Sequence, residues 1–176
     1  LGQTWSNFAV PDYMPESVDA LGFVGGAVKR TPQVRYSQKI SPAATLITAL
    51  EDPKDGSISM RMPALTSRLN LKVSDDMSLS GRVMAHEKRV ESEEKWAWGV
   101  GLGAKYDLSP ETSLKADYYH VKGDSSFVSW ANNGVLKTAT SDLVQNQFDS
   151  ITVGITQKFN DQIRGTLGYG FMKFDE

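Results

Sequence analysis

Nine runs of this chain alternate apolar with polar residues, and the segments joining them are by turns short and long. Reading forward, the connections span 10–31 (long), 40–43 (short), 51–63 (long) and 74–77 (short). They continue with 88–95 (intermediate), 108–111 (short), 122–148 (long) and 160–162 (short). A soluble sandwich has no reason to keep that rhythm. An up-and-down barrel crossing an outer membrane does, because tight turns face the periplasm while long loops face outside.

The runs cover 2–9, 32–39, 44–50, 64–73, 78–87, 96–107, 112–121, 150–159 and 163–174. A period of two sends successive side chains to opposite faces of a strand. One face is oily, with Leu65, Leu69 and Leu71, then Leu79 and Val83, then Trp96, Trp98, Val100, Leu102 and Tyr106. Later runs add Ile151, Val153 and Ile155, then Leu167, Tyr169 and Phe171. The other face carries Thr66, Arg68, Asn70 and Lys72, then Arg82 and His86, then Lys115 and Asp117, then Thr152, Lys158 and Arg164. In a sandwich the oily face is the core; in a barrel it meets lipid and the polar face meets water. Alternation alone fits both.

Three features favour the barrel. Aromatics fall at strand ends, with Trp96, Trp98 and Phe171 toward the long connections and Tyr106 and Phe159 toward the short ones. That is the double girdle of a wall between two interfaces. Glycines recur inside strands, at Gly99, Gly101, Gly103, Gly154, Gly165, Gly168 and Gly170. Glycine weakens an ordinary strand, but it suits a curved wall or a tightly packed plug. Nearest-neighbour hairpins run throughout, with no helical crossover.

Composition by itself points elsewhere. About 40% of residues are hydrophobic and the mean hydropathy is negative, as in ordinary soluble domains. No apolar run approaches the roughly 18 residues of a membrane helix, whereas a barrel strand needs only about 9–11. There is no cysteine, so disulfides and thiolate metal sites are excluded. The chain opens at Leu1 in a strand-like run without a signal peptide, and stops without an evident closing strand. An odd number of strands closes poorly, so the expectation is one β-barrel domain over 1–176 that is the middle of a larger barrel.

The net charge of −2 becomes informative once sorted by place. The acids crowd the connections and strand ends. The polar face instead carries Arg35, Lys39, Arg68, Lys72, Arg82, Lys105, Lys115, Lys158 and Arg164, against essentially Asp117 alone. Rings of Arg and Lys are how pores favour anions, and a low-dielectric wall focuses their field. Lys39, Lys72, Lys105 and Lys158 lie beside short turns and are expected to form a periplasmic rim. Arg35, Arg68 and Arg82 fall near mid-strand, where a constriction would sit, and with Lys115 and Arg164 they are the expected solute-facing charges. Arginine's planar fork binds carboxylate bidentately, which suits organic anions.

The stretches Gly2-Gln3-Thr4-Trp5-Ser6-Asn7-Phe8 and Pro32-Gln33-Val34-Arg35-Tyr36 carry a specific resemblance. With the glycine-rich run 98–106 and the run 160–170, they resemble the DcaP-like trimeric porins, outer-membrane channels linked to dicarboxylic acid uptake. The resemblance implies a barrel of about sixteen strands in a homotrimer, of which this chain supplies about nine. It also implies that 10–31 is a loop folded inward to narrow the pore, with Asp12, Glu16 and Asp19 facing the basic wall and Lys29 and Arg30 near its end. The segment 122–148 is then a long extracellular loop.

Catalytic and metal signals are weak. His86-Glu87 lacks the second histidine of a zinc-protease helix. Asp117 and His120 point to opposite faces of one strand, and nothing places a base beside Ser126, Ser129 or Ser141. No cofactor, no metal and no nucleic-acid surface is expected. The sequence thus reads as an all-β, antiparallel transmembrane barrel in the bacterial outer membrane, a passive porin for small hydrophilic solutes preferring organic anions such as dicarboxylates. The alternative is a soluble or surface β-sandwich binding ligand through its loops, with a barrel enzyme as a weaker third reading.

Overall fold

The computed structural model describes residues 2–17, 25, 29–52, 62–90, 93–123, 135–137, 143–145 and 147–175. Its strands are β1 (Gly2–Trp5), β2 (Arg30–Ser41), β3 (Ala44–Glu51), β4 (Ala64–Lys72), β5 (Met77–Val90) and β6 (Glu93–Asp107). They continue with β7 (Thr112–Lys122), β8 (Val135–Lys137), β9 (Leu143–Gln145), β10 (Gln147–Lys158) and β11 (Arg164–Asp175). Nine of them form one antiparallel sheet in simple order, β1 to β7 and then β10 and β11; β8 and β9 pair as a small ribbon inside the long connection. All nine runs read from the sequence are strands of that sheet. Among the described residues the one helical element is a 3-10 turn, Pro11–Tyr13.

Three of the four short connections are closed by a Ser or Asn side chain, and the fourth, between β4 and β5, by the Val73 and Ser74 amides donating to the Met77 carbonyl. Between β6 and β7, Ser109 Oγ accepts from the amides of Glu111 and Thr112, each at 3.1 Å. Between β10 and β11, Asn160 Oδ1 accepts from Gln162 and Ile163, each at 2.9 Å. Between β2 and β3, Ser41 Oγ accepts from Ala43 N at 3.2 Å, beside a register shift between Lys39 and Ser41. Such turns fix register, and a one-residue slip would exchange the two faces.

The faces are sorted in the sense opposite to a soluble protein. Leu102 is 61% exposed and Leu167 77%, and Val34, Tyr36, Leu65, Val83, Trp98, Ile151 and Tyr169 are exposed with them. About half of the buried residues are polar, among them Gln33, Glu51, Thr66, Arg68, Arg82, His86, Asp117 and Thr152. A sandwich would stack its oily faces on one another; here they stay bare. An apolar surface this continuous needs a non-aqueous neighbour.

Its height fits a bilayer. Trp96 and Tyr106 bound the oily row of β6, ten residues apart. At about 3.4 Å per residue and a tilt of about 40°, that row stands about 26 Å tall, close to the roughly 25 Å band of membrane barrels. At the long-connection end the same face turns polar. There Asp149 Oδ1 accepts from the Tyr118 hydroxyl at 2.5 Å and meets His120 Nδ1 at 2.9 Å, with the Trp98 ring 5.3 Å from His120. Polar and aromatic side chains mixed at one height mark an interface.

Candidate functional site

What covers the polar face is the chain from Ser6 into the start of the 10–31 connection. The chain leaves the ladder after Trp5, and Ser6, Asn7, Phe8 and Ala9 are fully buried. The run 2–9 therefore ends as a strand four residues early, because its second half is drawn onto the sheet's polar face. Ser6 Oγ turns the chain by accepting from Phe8 N at 3.1 Å and Ala9 N at 3.2 Å. Phe8 then meets Tyr119 edge-on, ring centroids 5.3 Å apart. With Ala9, Ala64, Met84, Val121 and Phe148 they make the described apolar core, a small one on a mostly polar surface.

The glycines of β6 make room for this segment. A Cβ on Gly99 would stand 2.8 Å from Phe8 Cζ, and one on Gly103 would stand 2.5 Å from Tyr13 Cγ. On β10 a Cβ on Gly154 would meet Pro15 at 2.5 Å. The sequence left open a curved wall or a packed plug, and the contacts at these three positions are those of packing. We expect Gly103→Val to leave the barrel wall intact but push Tyr13 off it. Limited chymotrypsin digestion of the folded protein should then cut at Tyr13 faster than in the native chain.

Beneath Tyr13 lies an ionic cluster. Arg82 pairs with Asp117 through two hydrogen bonds, side chains 0% and 1% exposed, and also donates to the Tyr119 hydroxyl. Its guanidinium carbon is 4.7 Å from the Tyr119 ring centroid and 5.6 Å from that of Tyr13. Such stacking favours a guanidinium over an ammonium. Arg82, expected to face solute, is thus sealed under Tyr13 and its charge is answered by Asp117.

The other wall cations are differently placed. Arg68 is the cross-strand partner of Arg82. It stands 3.8 Å from Asp12, a carboxylate 66% exposed, and its Nε makes no hydrogen bond among the described residues. Arg35 is half-buried, donating to Gln33 Oε1 at 2.9 Å and to the Trp5 carbonyl at 2.8 Å. Arg164 is exposed and pairs with Glu16 at 3.1 Å. Lys115 is half-buried on the same face. Lys29 is half-buried, while Arg30 is exposed and stacks 6.0 Å over Trp5. Asp19 lies outside the described residues, as do Ser126, Ser129 and Ser141.

The four lysines expected at a rim all stand at the short-turn end. Three are locally neutralised: Lys72 by Asp75 at 2.5 Å, Lys105 by Asp107 at 2.9 Å and Lys158 by Asp161 at 2.7 Å. The hydrogen bond from Lys72 holds the turn carboxyl of Asp75 below the usual carboxylate range. Lys39 is exposed.

Sequence reasoning missed Glu51, which it took for a connection acid, and the pairing of Asp117 with Arg82. Parity was the available signal. Glu51 and Asp117 share the period-two face of Ile47 and Ala49 and of Lys115 and Tyr119, so both had to point among the wall cations and the segment above them.

An antiparallel wall, oily on one side and cationic on the other, with a long connection laid against the charged side, defines a transmembrane β-sheet of the outer-membrane type. The chain matches the family model of the DcaP outer membrane protein over residues 1–176. Its fold superposes on the crystal structure of the outer membrane channel DcaP of Acinetobacter baumannii with a TM-score of 0.88. Identity is 32%, over 99% of this chain and 52% of that one. No curated protein matches the chain. It belongs to the DcaP outer membrane protein family, its place is the outer membrane, and it spans about half the length of the solved channel.

Proposed function

We propose that the protein is a passive, non-catalytic porin whose loop-narrowed lumen admits small hydrophilic solutes and prefers organic anions such as dicarboxylates. The reading extends to a homotrimer in lipid, in keeping with a resemblance to trimeric porins. One observation carries the selectivity: the segment's acids oppose the wall's cations, Asp12 across from Arg68 and Glu16 across from Arg164. Opposed rows of charge set up a transverse field, which orients a dipolar or anionic solute in the gap. Arg68 is the key cation, because Asp12 meets it only at 3.8 Å and leaves its charge less fully answered than that of Arg82 beside Asp117. Arg35 and Lys115 supply the rest of the positive field; Arg164 is answered by Glu16 at 3.1 Å, and Arg82 shapes the wall and adds no net charge beside Asp117. Binding of this sort is weak enough for solute to leave.

The test is planar-bilayer recording of the full-length protein under a salt gradient. A unit charge about 10 Å from a permeating ion in water is worth about 0.4 kcal/mol, or about twofold in local anion concentration. Replacing Arg35, Arg68 and Arg164 together by Gln should therefore move the reversal potential clearly toward cation preference. An unchanged reversal potential would remove the selectivity and leave the channel standing.

A further inference from the structure

We infer that Glu51 is the positioning residue that keeps the inward segment seated in the lumen, an inference that rests on the porin reading above. The Glu51 carboxylate is fully buried, and three donors from three parts of the chain converge on it. Oε1 accepts from the backbone N–H of Asn7 at 2.6 Å and from the Thr66 hydroxyl of β4 at 2.7 Å. Oε2 accepts from the Thr31 hydroxyl of β2 at 2.9 Å. The two bonds to Oε1 are as short as bonds to a carboxylate usually are.

The position of the carboxylate gives it leverage. Asn7 is the residue at which the chain turns from the ladder onto the polar face, and its Nδ2 also donates to the Ile47 carbonyl of β3 at 2.9 Å. On the other side, Gln33 Nε2 donates to Thr31 Oγ at 3.2 Å and to the Trp5 carbonyl at 3.0 Å. Arg35 ties in through Gln33 and Trp5. The root of the segment is thus clamped from Trp5 to Asn7, and Glu51 joins the clamp to the wall. Beyond Asn7 the segment is held by Phe8 and Ala9 in the apolar core, by the Phe8 carbonyl accepting from the Tyr119 hydroxyl at 3.4 Å, by Tyr13 over Arg82, by Pro15 against Gly154, and by two ion pairs whose acids are partly exposed. Exposed pairs hold little on their own. Without the Glu51 carboxylate the Asn7 N–H and two threonine hydroxyls lose their acceptor, which burial makes costly. The root of the segment then loosens from the wall, and the packed part beyond it loses its fixed point.

The experiment records single channels of the full-length protein in planar bilayers. Glu51→Ala should raise the unitary conductance about twofold and add flicker, as when a lid that half-occludes a passage is released. Glu51→Gln should stay near the native value, because its Oε1 still accepts from Asn7 and Thr66 and only the Thr31 hydroxyl loses its acceptor. In a chain whose residues 8–15 are replaced by a Gly-Ser linker, Glu51→Ala should change nothing further. Should Glu51→Ala not assemble, Thr66→Val, which removes one donor at the same shape, should give a smaller rise. Native conductance in the alanine variant, or in the Thr66→Val variant where the alanine does not assemble, would overturn the role of Glu51 alone. The same rise in the linker background would overturn it too, since Glu51 would then act through the wall. A native protein that forms no channel would overturn the porin reading and this inference together.

Discussion

Asp117→Ala is expected to destabilise the folded wall by about 3–5 kcal/mol, the usual cost of stranding one member of a buried ion pair. The reason is the seal around the pair. Side chains of Arg82 and Asp117 are 0% and 1% exposed, with Tyr13 above and Tyr119 alongside. A guanidinium left there would have one tyrosine hydroxyl and two ring faces in place of a carboxylate, and no route to water short of expelling Tyr13. The double replacement Arg82→Met with Asp117→Leu should recover most of the loss, because it removes both charges and keeps the volume. The remaining deficit is the lost stacking, about 1–2 kcal/mol. Urea titration of protein refolded into lipid, read by the gel shift on heating, separates the cases. If Asp117→Ala falls within about 1 kcal/mol of native, the pair is open to water.

That pairing shows where reading the sequence stops. Period two placed Arg82 and Asp117 on one face, and both are there. It could not join them, because they sit on β5 and β7 with β6 between, about 10 Å apart across the sheet. What joins them is the bare backbone of β6: Gly101 is the register partner of Arg82 and Gly103 that of Asp117, so a long guanidinium passes over where side chains would otherwise stand. Strand existence was legible throughout because hydrophobic alternation is local. Ends were less so. The run 88–95 reads as a connection for its charges, yet the ladder continues through Val90 and Glu93, since strands extended past the bilayer need no oily residues. The β8–β9 ribbon, three residues to a strand, left no periodic trace. The segment 10–31 reads as an inward loop only by resemblance, for its contacts are with strands up to about 150 residues away, as Glu16 with Arg164 shows.

The second large effect concerns the other face. Leu102→Arg is expected to cost about 2–4 kcal/mol of folding free energy in lipid, the penalty for a cation near the midplane of a barrel wall. Leu102 suits the test because it is 61% exposed and lies on β6 between Trp98 and Tyr106, too far from either interface for the new side chain to reach water easily. Lys122, already cationic on the same face and level with Trp98, supplies the control: Lys122→Arg should be neutral. Urea midpoints of chains refolded into vesicles measure both. In plain buffer Leu102→Arg would improve solubility, since it replaces bare hydrocarbon by charge, so one substitution acts with opposite sign in the two solvents. A sheet whose oily face met a protein partner in water would also lose stability on the change, but it would need no lipid to fold. The requirement for vesicles together with the penalty at Leu102 therefore distinguishes hydrocarbon from protein as the neighbour of this face.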